Sequence, residues 1–170
     1  MSTVPIKPPV KTPLPLTLGS RRFDWSEPVI MGILNVTPDS FSDGGRYLPL
    51  AASLERAQQL LEEGADIIDV GGQSSRPGSV PVDAETELQR VIPVIKEIKR
   101  LQPQALVSID TDKAVVARLA VENGASLIND ISALTRDPQM LATAVALNVP
   151  VLLMHARGTP QTMQAMAHYQ

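Results

Sequence analysis

From Pro28 onward, short apolar runs alternate with longer stretches in which apolar residues recur every three or four positions. The runs VIMGIL, DIIDV, ALVSI, SLI and VPVLLM have the length and composition of strands. Between the first two, Leu50, Leu54, Ala57 and Leu61 share one helical face, and Glu55, Arg56, Gln58 and Glu62 fall elsewhere. A second helical stripe runs Leu88, Val91, Ile92, Ile95, Ile98. Asp83, Glu85 and Glu87 lie near its start, where the helix dipole favours negative charge. Pro93 interrupts this stripe; a mid-helix proline removes one hydrogen bond and bends the axis, so one bent helix is expected rather than two elements. Two further helices are expected over Ala114 to Asn123 and Pro138 to Leu147. The short repeat EGADIID and NGASLIN places Gly-Ala between a helix and a strand each time, and the glycine suits a left-handed helix cap. Strands joined by helices predict a parallel sheet, since antiparallel neighbours need only tight turns.

Upstream, the first fifteen residues hold five of the fifteen prolines. Proline lacks a backbone donor and resists helix and sheet, which predicts a disordered or polyproline-like tail over residues 1–15 and one domain over 16–170. LTLGSRRFDW alternates around Gly19-Ser20 and predicts a β-hairpin.

Each apolar run ends near a polar residue: Asn35, Asp69, Asp110, Asn129 and His155. Parallel strands all point the same way, so these side chains are expected at one rim, where barrel and open-sheet enzymes hold their sites. The alternative for any single position is a helix cap or a turn. Two of the following loops are rich in polar groups. Val36 to Tyr47 offers Thr37, Asp39, Ser40, Ser42 and Asp43 with a Gly44-Gly45 exit, the composition of a lid that closes on a ligand. Gly71 to Ser79, GGQSSRPGS, combines glycine amides, hydroxyls and the Arg76 guanidinium, which all donate to anionic oxygens; its alternative is a solvated turn.

Bulk composition narrows the partners. Net charge is −3 and aromatics make up 3% of 170 residues, so the chain carries neither a basic track nor base-stacking platforms, and nucleic acid is not an expected partner. The absence of cysteine removes disulfides, thiolate metal sites and thiol nucleophiles, and fits a reducing cytoplasm. No apolar run approaches the roughly 18 residues that span a bilayer, and the start MSTVPIKPPVKTPLPL lacks a signal-peptide core, so no membrane association is expected.

MGILNVTPDSFSDGG, DIIDVGGQSSRPGS, SIDT, LINDI and LLMHARGTPQTMQ, in that order and at these intervals, resemble the dihydropteroate synthase family. The match spans nearly everything after Pro28, and its first two segments are the most specific. The resemblance implies a (β/α)₈ TIM barrel, an α/β fold. It also implies an activity in folate synthesis: the amine of 4-aminobenzoate displaces pyrophosphate from 6-hydroxymethyl-7,8-dihydropterin diphosphate. It further implies Mg²⁺, with Asn35 helping to place the metal, and a homodimer at full length. By the same resemblance Asp39 and Phe41 belong to a loop folding over the reacting centre, and Ser75 and Arg76 contact the diphosphate or order the aminobenzoate site. Asp110 and Asn129 read the pterin edge, and Met154 forms an apolar wall. His155 is expected to be structural rather than a base, and His168 to lie at the surface.

Three departures accompany the resemblance. Gln73 and Ser75 stand where glutamate and threonine are common, and Ser132 where arginine is expected. Only about five βα units fit in the chain, whereas a complete barrel has eight strands and typically about 250 residues. A partial barrel is therefore expected, without the family's later pterin-binding aspartate, lysine and arginine-histidine pair. The 170-residue chain alone is expected to be poorly soluble and inactive. Two other readings stand beside this one. A pterin-dependent methyltransferase shares the barrel but not the SFSDGG and SSRPGS loops, and a pterin-binding or assembly module would need a second polypeptide.

Overall fold

The computed structural model describes residues 13–37, 47–74 and 81–155. Most of the expected proline-rich tail, and Asp39, Phe41, Ser75, Arg76 and His168, lie outside the described residues. The chain opens with the expected hairpin, in which β1 (Leu16–Leu18) pairs antiparallel with β2 (Arg21–Phe23). Gly19 takes φ +54° at its turn, a conformation glycine adopts without steric cost.

Five strands then form one sheet: β3 (Met31–Asn35), β4 (Ile67–Gly71), β5 (Leu106–Asp110), β6 (Leu127–Asp130) and β7 (Val151–Leu153). They are hydrogen-bonded in sequence order, and every neighbouring pair is parallel. Between them lie α1 (Tyr47–Glu62), α2 (Ala84–Leu101), α3 (Ala114–Glu122) and α4 (Met140–Leu147). α2 runs through Pro93 as a single element, and the Asp83 side chain caps it by accepting from the Thr86 amide at 2.7 Å. Gly64 and Gly124, the glycines of the short repeat, take φ +100° and +112° just beyond α1 and α3.

Packing separates the two faces of the sheet. Leu34, Ile68, Val70, Val107, Ile109 and Ile128 point to one face and share a core with all four helices. Residues of the opposite parity, Ile67, Leu106 and Leu127, pack instead with Leu18 and Phe23 of the hairpin. The described helices all lie on one face of strands in sequential order, which is the winding of a (β/α)₈ barrel; a doubly wound sheet carries helices on both faces. The hairpin closes the lower end of the inner face, and Arg21 ties it to the sheet by donating to Asp66 at 2.6 Å.

Successive tiers line that inner face. Met31, Ile67 and Leu106 form the lowest, Ile33, Asp69, Ser108 and Leu127 the middle, and Asn35, Gly71, Asp110, Asn129 and Leu152 the uppermost. Polarity thus rises toward the C-terminal ends of the strands.

Gly72, the residue after β4, fixes how α2 docks: a Cβ there would lie 2.8 Å from Val91 Cγ1 and 2.9 Å from Glu87 Cγ. Gly72→Ala is expected to destabilise the fold by about 1–3 kcal/mol through overpacking. Gly71→Ala, whose Cβ would meet no atom closer than 3.4 Å, is expected to change stability by less than about 0.5 kcal/mol. Urea midpoints of the two variants check the contrast.

Candidate functional site

The uppermost tier carries the polar groups. Asn35, Asp110 and Asn129 are register partners through Gly71, so their side chains leave the sheet on the same face and at the same height. Gly71 is the low point between them: a Cβ built on it would sit 3.4 Å from Asp110 Oδ2 and 3.7 Å from Asn35 Oδ1. Asn35 is exposed, and Asp110 and Asn129 are half-buried. Met154 follows β7 at the same end of the sheet and is 41% exposed, so its side chain remains open to a ligand. Asp39, Phe41, Ser75 and Arg76, also expected here, lie outside the described residues.

Two strand-end residues do not join the row. Asp69 sits one tier lower, opposite Ser108, because β4 runs on through Val70 and Gly71. It is buried, and its Oδ2 accepts from Asn129 Nδ2 at 2.9 Å. His155 lies just beyond β7 and is exposed.

Carboxylates crowd this end of the sheet. Burial pushes the Asp110 carboxyl up to about 7, and the charges of Asp69, Glu87, Asp112 and Asp130 push the same way. Burial also raises Asp69, partly offset by Ser108 and Asn129. The other acids have partners. Asp130 accepts from the amides of Ser132 and Leu134 at 2.7 and 2.9 Å, and the Arg136 guanidinium donates to Asp112. Ser132, where arginine was expected, accepts the Arg136 amide proton through its hydroxyl.

The pairing of Glu87 with Lys113 was not legible in the sequence. Glu87 reads there as a first-turn acid of α2, yet it is fully buried and receives Lys113 Nζ at 2.6 Å. Lys113 also donates to Gln73 Oε1 at 2.9 Å, and the same oxygen accepts the Val82 amide at 3.1 Å. Gln73 and Val82 flank the segment holding Ser75 and Arg76, so this cluster fixes both of its roots. The two bonds need only an acceptor oxygen, which glutamine supplies as glutamate does.

A carboxyl beside two amide side chains is a donor and acceptor array suited to the edge of a flat heterocycle. A family model for pterin binding enzymes matches residues 31–170. The chain belongs to the pterin-binding enzyme family. Dihydropteroate synthase from Synechocystis is 47% identical over 158 residues, covering 92% of this chain and 54% of that protein. Two solved structures superpose closely. Yersinia pestis dihydropteroate synthase with a sulfonamide drug gives a TM-score of 0.82 at 44% identity, covering 92% of this chain and 56% of that one. Xanthomonas albilineans dihydropteroate synthase with 4-aminobenzoic acid gives 0.80 at 43% identity, with 92% and 54% covered. These likenesses agree with the TIM-barrel winding. The chain spans about half the length of the relatives it matches.

The pH response of the Asp110 carboxyl follows from its environment. Between its ordinary value of 3.8 and about 7 the folded protein holds a proton that the unfolded chain has released. Stability therefore falls as pH rises through that window. Asp110→Asn removes the titration: its Tm is expected to exceed the wild type's by several degrees at about pH 8, the gap closing by about pH 4. Thermal melts of both proteins across that range check it.

Proposed function

We propose that this chain forms the pterin-binding part of a dihydropteroate synthase, which joins 4-aminobenzoate to 6-hydroxymethyl-7,8-dihydropterin diphosphate and releases pyrophosphate. The observation that carries this reading is the single row of Asn35, Asp110 and Asn129 on the inner face of the sheet. A pterin presents several N–H donors along one edge, which Asp110 and Asn129 are placed to accept. In the reaction a C–N bond forms from the aminobenzoate amine to the pterin methylene while the C–O bond to the diphosphate breaks. The electron pair leaves with pyrophosphate, and the amine loses a proton. No protein nucleophile is needed.

This chain's groups bind and orient. Asp110 and Asn129 hold the pterin with its methylene toward the mouth, and Met154 walls the ring. Arg76 and Ser75 donate to diphosphate oxygens, which gain charge as the bond breaks and so are held more tightly in the transition state. Asp39 and Phe41 belong to the segment that excludes water over the reacting centre. Among the described residues no cluster of acids and histidines suits a metal ion. Asn35 Oδ1, exposed at the rim, fits a magnesium ion that takes one protein oxygen and completes its shell with water and phosphate. Bound there, magnesium would neutralise charge on the departing diphosphate.

Ile33 and Leu152, on the inner face, and Leu153 at the β7 edge are 65%, 40% and 57% exposed, an apolar surface that further strands would cover. The homodimer implied by the resemblance and a cytoplasmic location belong to the same proposal; among the described residues no helix is long and apolar enough to cross a membrane.

The test is turnover by the protein at its natural length, followed as dihydropteroate and pyrophosphate formed in equal amounts. Asn129→Ala and Asp110→Ala are expected to lower kcat/KM for the pterin substrate roughly tenfold to hundredfold, the effect of stranding its buried donors. The 170-residue chain alone is expected to show no turnover. Methyl transfer from a methylated folate, or an absence of pterin binding, would overturn the reading.

A further inference from the structure

Asp69 plays no part in the reaction just described, yet it is the charge most deeply set in the inner face. It is 4% exposed; Ser108, fully buried opposite it in the same tier, favours its charged form, yet among the described residues neither Asp69 Oδ1 nor Ser108 Oγ makes a hydrogen bond of normal geometry. The one bond to a described side chain runs from Asn129 Nδ2 to Asp69 Oδ2 at 2.9 Å, reaching from β6 past β5 to β4. A carboxylate buried on so little compensation costs stability. Residues held against stability in this way concentrate where a site is being shaped.

The bond has a directional consequence. An ionised carboxylate only accepts, so Asn129 must turn its NH₂ group toward Asp69. Its carbonyl oxygen is then directed away from Asp69. Without that partner the amide offers either a donor or an acceptor, and the pocket loses its discrimination.

We propose that Asp69 is a positioning residue: by holding Nδ2 of Asn129 it fixes Oδ1 of Asn129 as the acceptor offered to an N–H on the pterin edge. This rests on the pterin-binding reading above. Asp69 need not touch the ligand; it acts through the orientation of one amide.

The experiment measures the Kd for 6-hydroxymethylpterin and the Tm in the protein at its natural length, for the wild type, Asp69→Leu, and the exchange variant Asp69→Asn/Asn129→Asp. Asp69→Leu keeps the branching and the number of side-chain heavy atoms, adds volume, and removes the acceptor. Its Kd is expected to rise about tenfold or more while Tm holds or increases, because a buried charge is replaced by an apolar group. In the exchange variant the amide at 69 donates to the carboxylate at 129, whose second oxygen still accepts from the ligand. Its Kd is expected to return to within about threefold of the wild type's. A Kd for Asp69→Leu within about twofold of the wild type's overturns the inference and leaves the pterin reading standing. Loss of affinity and stability together, with no recovery in the exchange variant, assigns Asp69 to structure and also overturns it. If the wild type fails to bind the pterin, both readings fall.

Discussion

The site depends on the parallel register that joins β3, β4, β5 and β6. Register partners in a parallel pair point to the same face, so Asn35, Gly71, Asp110 and Asn129 form one row because Met31 pairs with Ile67 and Ser108 with Leu127 further down. A slip of one residue in β5 would turn Ser108 and Asp110 into the helix-facing core and expose Val107 and Ile109. Burying one such side chain is worth about 1.5–3 kcal/mol, so the apolar face opposes the slip strongly. Asp110 is aimed by the isoleucine beside it.

The charges near the mouth divide into two groups with different partners. Glu87, Asp112 and Asp130 each face a lysine, an arginine or backbone amides, and they hold loops to helices. Asp69 and Asp110 face no cation among the described residues, and both carboxyls are raised by burial. Among the described residues, the cations at this end of the sheet, Lys113 and Arg136, are committed to Glu87 and Asp112. Among the described acids near the mouth, the two without a cationic or backbone-amide partner therefore both lie on the inner face, where a ligand with several N–H groups would supply donors.

Much of the fold was legible because its periodicities are unambiguous. The helical stripe from Leu88 to Ile98 buries Val91, Ile95 and Ile98, and the repeat glycines Gly64 and Gly124 take the positive φ their position requires. Asn35, Asp110 and Asn129 were legible as strand ends. Asp69 was legible as polar but misplaced in height, since a glycine pair after Val70 reads as the start of a loop. The strand continues through Gly71 because it is paired on both sides, with Asn35 of β3 and Asp110 of β5. The Glu87–Lys113 pair was hidden for another reason. Its members lie 26 residues apart on α2 and at the start of α3, and a first-turn glutamate reads as a solvated dipole partner. No local pattern marks it as buried, because its burial comes from Gly72 letting α2 approach the sheet.

Gly71, Gly72 and Gln73 act as one mechanical unit with three different demands. Gly71 faces inward and keeps the floor of the row low, whereas Gly72 faces outward and lets Val91 and Glu87 close on the strand end. That approach brings Glu87 to Lys113, and Lys113 in turn reaches Gln73, whose Oε1 also holds the Val82 amide. The glutamine in place of the family's usual glutamate therefore preserves the geometry and alters the charge. With glutamine, Lys113 meets two carboxylates, Glu87 at 2.6 Å and Asp112 at 3.5 Å; a glutamate would add a third near an Asp110 carboxyl already raised by its acidic neighbours. The neutral residue thus lessens the repulsion at the carboxyl aimed at the ligand, with which it lines one small cavity.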